Sequence, residues 1–302
     1  MAPSRFDAAQ LAAFHDSYQR DGVVKVPGLL SADWVARLDR ALQRARRTLT
    51  ARGAPVVNPR LGLSDGSNAL AVERAARAND GYVDAEYSQA RGRLTIRWLW
   101  RDDPEVRAFF TDSGVAPVVA AVIGARRLQY WYDLTFFQDP DADGAGSPWH
   151  HDIAAFPCKG EQIPSLWIAM TDIDRRMSPL QCIRGSHLNR TQFRPPVYVD
   201  PSIAIPEGYG EMPDVAARIA SGEYECISWD FLAGDALLIH PYTLHGAPPN
   251  ESDVGRVAFT TRWAGDDVVW KPDVFSMAVP GIDLARVPVG QRPGGPMFPY
   301  VD

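Results

Sequence analysis

The sequence predicts an α+β fold in which helices come first and short, late strands close into a double-sheet barrel or sandwich. Three observations predict it. Amphipathic stretches with helix-capping residues lead the chain. From about residue 128 the pattern changes to short β-rich runs divided by dense turn residues, as in 140–148 (PDADGAGSP) and Gly234-Asp235. No G-x-G-x-x-G follows a strand and no P-loop is present, which argues against a doubly wound nucleotide-binding sheet.

Taken in order, Asp7 is placed to cap a helix over 8–19, and Ser31 to cap a second amphipathic run ending near Leu49. Between them 22–27 (GVVKVP) reads as a short strand. Residues 52–95 mix polar and small side chains with weak periodicity and read as loops and short helices overhanging a pocket. Two short helices are expected at 104–112 and 115–124. Strands are expected at 128–138, 166–172, 224–229, 236–240 and 256–263, and 195–213, rich in Pro and Gly, reads as a long surface loop. With no internal repeat and no linker, residues 1–302 read as a single domain: a helical N-terminal part and lid (1–127), a barrel core (128–265) and a C-terminal extension (266–302).

Composition narrows the function classes. The 302 residues are 46% hydrophobic and 23% charged, the balance of a globular chain with a sizeable core. A net charge of -6 speaks against a nucleic-acid partner, which would need clustered cations to neutralise phosphates. The densest basic stretch, Arg44, Arg46, Arg47 and Arg52, lies on an amphipathic helix and reads as a solvated face. The N-terminus lacks the apolar run of a secretory leader, and no segment is apolar for long enough to span a bilayer, so no membrane partner is expected. Cys158, Cys182 and Cys226 are odd in number and show no CxxC spacing, which suits a reducing cytoplasm and disfavours a zinc-thiolate site.

The sharpest chemical signal is His150-His151-Asp152. In a continuous strand His150 and Asp152 would project to the same face, about 7 Å apart at their Cα atoms, and could grip one metal ion. His151 would point away. A third ligand must come from elsewhere. His15 lies on a predicted surface helix and His187 in a turn, which leaves His240 and His245. Two imidazoles and one carboxylate leave coordination positions open, the arrangement of non-haem Fe(II) oxygenases, whereas structural zinc needs four closed ligands.

The stretch 234–250 (GDALLIHPYTLHGAPPN), followed by 255–263 (GRVAFTTRW), resembles the C-terminal signature of the phytanoyl-CoA dioxygenase family. So do 149–152 (WHHD), 166–170 (LWIAM) and 185–187 (GSH), and the resemblance covers 128–265 in motif order. It implies a double-stranded β-helix, the jelly-roll or cupin-like barrel, with the N-terminal helices packed on one face. It also implies that the distal iron ligand is the His followed by Gly and, eleven residues on, by the Arg that binds 2-oxoglutarate. His245 and Arg256 fit this spacing and His240 does not, so the implied metal and catalytic set is His150, Asp152 and His245. By the same resemblance Trp167 lines the co-substrate pocket.

Arg256 is chemically suited to that task because a planar guanidinium pairs bidentately with a carboxylate and stays charged when buried. Arg262, on the same predicted strand face, is the fallback anchor. Two features depart from the family pattern. Hydroxyl residues common two places after the distal His or the Arg are here Ala247 and Ala258, for which Thr260 or Tyr242 could stand in. A Lys common on the strand before His-x-Asp is here Gln138. Asp152 itself separates the chain from related halogenases, which carry a small residue there.

The resulting expectation is an Fe(II)- and 2-oxoglutarate-dependent dioxygenase that uses O2 to hydroxylate a small-molecule metabolite or natural-product intermediate. No basic cluster lies near the barrel signature to hold an acyl-CoA. Tyr130, Trp131, Tyr132 and Phe156 are candidate lining groups, and His187 reads as structural, bonding a loop carbonyl. The rival reading is a non-catalytic or redox-neutral metal-binding barrel. Arg256 separates the two, since a metal-only module has no need of a co-substrate anchor.

Overall fold

The computed structural model describes residues 4–51, 84–88, 93–140, 146–195 and 204–301. Helix α1 (Ala8–Asp21) begins at the expected cap: the Asp7 carboxylate accepts the Gln10 N–H at 2.9 Å, and the Gln10 side-chain carbonyl accepts the Asp7 N–H at 3.0 Å. It ends at Gly22, whose φ of 77° closes the last turn and whose N–H donates to the Tyr18 carbonyl. A Cβ at Gly22 would collide with the His187 ring and lie 2.5 Å from Thr243 Oγ1. Gly22→Ala is therefore expected to cost about 2 kcal/mol or more, the left-handed conformation alone accounting for about 1–2. Thermal melting checks this, and an unchanged midpoint would show that the packing at Gly22 is loose.

Strand β1 (Val23–Val26) follows at once, and α2 (Ala32–Ala51) begins with the Trp34 N–H bonded to Ser31 Oγ at 3.3 Å. The basic face of α2 is not simply solvated. Arg44 pairs with Asp103 at 2.9 Å and Arg46 with Asp139 at 2.8 Å, tying the helix to the body of the protein; Arg52 lies outside the described residues.

Strands β2 (Asp84–Ser88) and β3 (Arg93–Arg97) pair antiparallel where loops and short helices were expected. The alternation in Arg93-Leu-Thr-Ile-Arg97, with Leu94 and Ile96 buried, is a strand signal that disappears when averaged over the polar residues around it. Residues 52–83 and 89–92 lie outside the described residues, and with them the expected lid.

Helices α3 (Pro104–Asp112) and α4 (Val115–Ile123) follow from the Asp103 cap with Pro at the first turn and from the terminating Gly124. They meet at a 54° bend, and among the described residues no single helix is long and apolar enough to cross a membrane. Their apolar faces, Val106, Phe109, Val118 and Val122 among them, are buried.

The remaining strands are β4 (Gln129–Gln138), β5 (Ser147–His150), β6 (Cys158–Lys159), β7 (Ser165–Ala169), β8 (Gln181–Ile183), β9 (Gln192–Phe193), β10 (Tyr209–Gly210), β11 (Cys226–Ser228), β12 (Ala236–Ile239), β13 (His245–Ala247), β14 (Arg256–Ala264) and β15 (Val269–Trp270). A short helix α5 (Val215–Ala220) precedes β11. The major sheet has the order β1-β12-β7-β14-β4-β3-β2 and the minor sheet β11-β8-β13-β5. Together they make the jelly-roll. The major sheet thus recruits strands at 23–26, 84–88 and 93–97 from the N-terminal part of the chain. Within the expected loop 195–213, β10 pairs in parallel with β9, while 196–203 lie outside the described residues.

Two apolar layers hold the barrel. On the outer face of the major sheet the helices pack against Leu94, Ile96, Val257 and Phe259, with Phe109 edge-on to Phe259 at 5.4 Å. Between the sheets Val23, Trp167, Ala169, Leu237, Ile239 and Ala258 meet Leu180, Cys182 and Ala247. The three cysteines are free thiols. The C-terminal extension packs on the start of β4: Phe298 stacks on Trp131 at 5.6 Å, and the Gln129 amide donates to the Pro293 and Phe298 carbonyls.

Candidate active site

The site grows from the minor sheet. In its antiparallel register His150 at the end of β5 stands directly opposite His245 at the start of β13, so both imidazoles face the same way with ring centroids 4.2 Å apart. Each ring is oriented by a carbonyl two residues back: His150 Nδ1 lies 2.8 Å from Pro148 O and His245 Nδ1 2.9 Å from Thr243 O. A carbonyl can only accept, so each Nδ1 carries a proton and each Nε2 is the nitrogen left to face the site. Burial, reinforced by neighbouring His245, pushes the His150 pKa down to about 4, which keeps that imidazole neutral at pH 7.

Asp152 reaches the pair by a different route from the one expected. The strand stops at His150, and Asp152 has α-region backbone angles (φ -77°, ψ -31°) at the start of a 3-10 turn, Ile153–Ala155. The chain turns the carboxylate back towards the rings instead of presenting it by strand alternation. That turn is braced: the Ile153 N–H donates to Pro241 O at 3.0 Å, and buried Lys159 Nζ donates to the Ile153 and Phe156 carbonyls at 2.7 and 2.9 Å. As a result Asp152 Oδ1 lies 3.9 Å from each Nε2, and the three ligand atoms fall within 4.8 Å of one another.

The other Asp152 oxygen, Oδ2, accepts the Ser165 hydroxyl and lies 3.1 Å from Arg262 Nη2. Burial alone would raise this carboxyl, but Arg262, followed by His245 and His150, outweighs it and holds the group well below the ordinary carboxylate range. Arg262 is therefore engaged at the acidic ligand.

Residues opposite one another in the register share a face, and across β4, β14 and β7 they form four rungs: Tyr132, Arg262 and Ser165; Leu134, Thr260 and Trp167; Phe136, Ala258 and Ala169; then Gln138 and Arg256. Trp167, Ala169 and Ala258 belong to the layer between the sheets, so this face looks into the barrel. The two arginines stand six residues, or about 20 Å of strand, apart. Arg256 is buried, its Nε donating to Gln138 Oε1 at 3.0 Å and its Nη2 lying 3.4 Å from Ser178 Oγ. Ser178, held with φ at 58°, also bonds the Pro248 carbonyl. Gln138 Nε2 and Thr260 Oγ1 are buried without a partner among the described residues.

The other histidines are accounted for. His240 Nε2 lies 3.1 Å from Glu161 and its Nδ1 accepts the Tyr242 N–H at 3.3 Å, so both ring nitrogens are used away from the triad. His187 bonds the Gln19 carbonyl at 3.0 Å, a structural contact of the kind expected. His15 is not simply a surface residue, since its ring bonds Val122 O at 2.8 Å between α1 and α4. His151 accepts the Phe193 N–H at 2.8 Å and stacks on Tyr242, which also lies beneath Arg190. Tyr242 is thus part of that cluster.

Two suggested lining groups prove to be core. Tyr130 is wedged between Phe110 and Trp263 at 4.3 and 5.0 Å, and Trp131 between Phe156 and Phe298. Sequence reasoning missed Ser165 and Ser178 altogether. Nothing in their neighbourhood in the chain marks them; only the β7–β14 register and the turn after Met177 do.

Residues 18–258 match the phytanoyl-CoA dioxygenase family. A probable phytanoyl-CoA dioxygenase of Caenorhabditis elegans is 24% identical over 189 residues, which span 61% of this chain and 58% of that protein's length. Among solved structures, the non-haem α-ketoglutarate-dependent carbocyclase SnoK from nogalamycin biosynthesis aligns over all of both chains with a TM-score of 0.68 and 18% identity. The epimerase SnoN of the same biosynthesis, in complex with Fe3+, α-ketoglutarate and nogalamycin RO, aligns over 97% of this chain and 99% of its own at 0.68 and 20%. EctD from S. alaskensis, with 2-oxoglutarate and 5-hydroxyectoine, aligns over 90% and 80% at 0.59 and 16%. At these identities the structural likeness establishes the fold.

Proposed function

The chain belongs to the phytanoyl-CoA dioxygenase family, and from that premise we propose that it is an Fe(II)- and 2-oxoglutarate-dependent dioxygenase that hydroxylates a C–H bond of a small molecule, consuming O2 and releasing succinate and CO2. The observation that carries the reading is the convergence of His150, Asp152 and His245, with both Nε2 atoms facing one carboxylate oxygen. Two nitrogens and one oxygen from two imidazoles and a carboxylate suit Fe(II) and leave its remaining positions open.

The co-substrate end also fits. Arg256 supplies the charged fork, and the Gln138 amide nitrogen and Thr260 hydroxyl, without a partner among the described residues, are buried polar groups of the sort that a bound carboxylate satisfies. Trp167, on the rung of Thr260, provides an apolar wall that would exclude water. When bound, the iron and 2-oxoglutarate supply the oxidising chemistry; the protein's part is to orient the ligands, anchor the co-substrate and keep the pocket dry. SnoN in complex with nogalamycin RO and EctD with 5-hydroxyectoine both hold small molecules, which supports a metabolite or natural-product intermediate here as well.

Anaerobic addition of Fe(II) and then 2-oxoglutarate is expected to produce a weak visible charge-transfer band that either component alone does not give. Absence of the band at saturating concentrations of both would sink the proposal.

A further inference from the structure

The triad does not stand alone: one of its members is gripped from behind. Oδ2 of Asp152 accepts the Ser165 hydroxyl and faces Arg262 Nη2 at 3.1 Å, whereas Oδ1 is the oxygen placed 3.9 Å from each imidazole Nε2. Arg262 and Ser165 are direct partners in the β14–β7 register, so the backbone ladder fixes them side by side before any ligand arrives. Arg262 is only 6% exposed, lies over the Phe156 ring at 5.6 Å and has Nη1 3.4 Å from the Thr261 carbonyl. Packed in that way, its guanidinium cannot swing out to solvent.

We propose that Arg262 and Ser165 form an oxyanion cradle that reserves Oδ2 of Asp152, so that the carboxylate can offer a metal Oδ1 alone. Both are positioning residues and act through Asp152. A carboxylate free to rotate could chelate with both oxygens and occupy a position that the co-substrate or O2 needs. Clamped by a charge-assisted bond and a hydroxyl, it stays a single-oxygen ligand. The cradle has a second consequence. If the Asp152 side chain is removed, a buried cation and a hydroxyl donor remain beside the vacated position, where a small anion can take the place of the carboxylate.

This inference rests on the metal reading above, and Mn(II) binding followed by the EPR signal of the free ion keeps the two apart. The wild-type protein is expected to bind one Mn(II); failure there would count against the metal reading itself. Arg262→Gln should weaken Mn(II) about tenfold to a hundredfold, Ser165→Ala about threefold to tenfold, and Arg262→Lys should fall between wild type and Arg262→Gln. Formate should strengthen Mn(II) binding to Asp152→Ala at least about tenfold, and should do nothing for Asp152→Ala/Arg262→Gln. Circular dichroism and melting establish folding; where Arg262→Gln fails to fold, Ser165→Ala and the formate rescue of Asp152→Ala decide. Mn(II) affinity unchanged in folded Arg262→Gln or Ser165→Ala, or no formate rescue of Asp152→Ala, would overturn the cradle.

Discussion

Replacing His245 by alanine removes stoichiometric Fe(II) binding and succinate formation, and Asp152→Ala does the same in the absence of an added anion, while the barrel stays folded. Each side chain is one of only three ligands, and the loss of one exceeds the effect of losing a supporting contact, so affinity should fall by more than about a hundredfold. The informative control is His240→Ala. His240 lies on the same segment, but its nitrogens serve Glu161 and the Tyr242 N–H. That variant should lose stability and keep its iron. Equilibrium dialysis with iron analysis distinguishes the cases, and the assignment fails if His240→Ala abolishes iron binding while His245→Ala leaves it intact.

Arg256→Ala weakens 2-oxoglutarate by at least about tenfold. The loss of a buried charge-assisted pair costs about 2–5 kcal/mol, of which every 1.4 kcal/mol is a factor of ten in affinity. Gln138 and Ser178 hold Nε and Nη2 of this arginine, so the guanidinium is oriented before the ligand binds and little ordering cost remains. Arg256→Lys should recover only part of the affinity, because an ammonium group reproduces the charge and not the fork. Titrating the anaerobic visible band with 2-oxoglutarate measures both variants. An unchanged affinity in Arg256→Ala would remove Arg256 from the co-substrate site.

Much of this was legible in the chain, for identifiable reasons. Asp7, Ser31 and Asp103-Pro104 are local signals, and the helices begin where those caps place them. The long β4 and β14 could be read because β-rich runs of nine or ten residues outlast their surroundings. The three-residue β13 could not, although it carries His245; only its motif marked it. The pairing of His150 with Asp152 was anticipated from strand alternation, yet the structure achieves it with a turn, because the strand ends at His150. What no window of sequence could show is which groups meet across the barrel. In the sequence Arg262 reads as a second co-substrate anchor because it shares a strand face with Arg256. Its actual partner, Asp152, comes from a different part of the chain, and the contact exists only once β7 and β14 have found their register.

The major sheet has a further property that concerns assembly of the fold. Its edge strand β1, Val23–Val26, is paired along its whole length with β12, Ala236–Ile239, more than two hundred residues later. During synthesis β1 must therefore wait, unpaired, until nearly all of the barrel has been made, and pairings of such sequence separation are the slow ones because the chain must first pay the entropy of closing the loop. Until they form, β12 presents an open row of backbone donors and acceptors along four buried apolar residues, the kind of edge on which another chain can add a strand. Residues 23–26 thus cover the β12 edge, and the major sheet is complete on that side only after two segments more than two hundred residues apart have met.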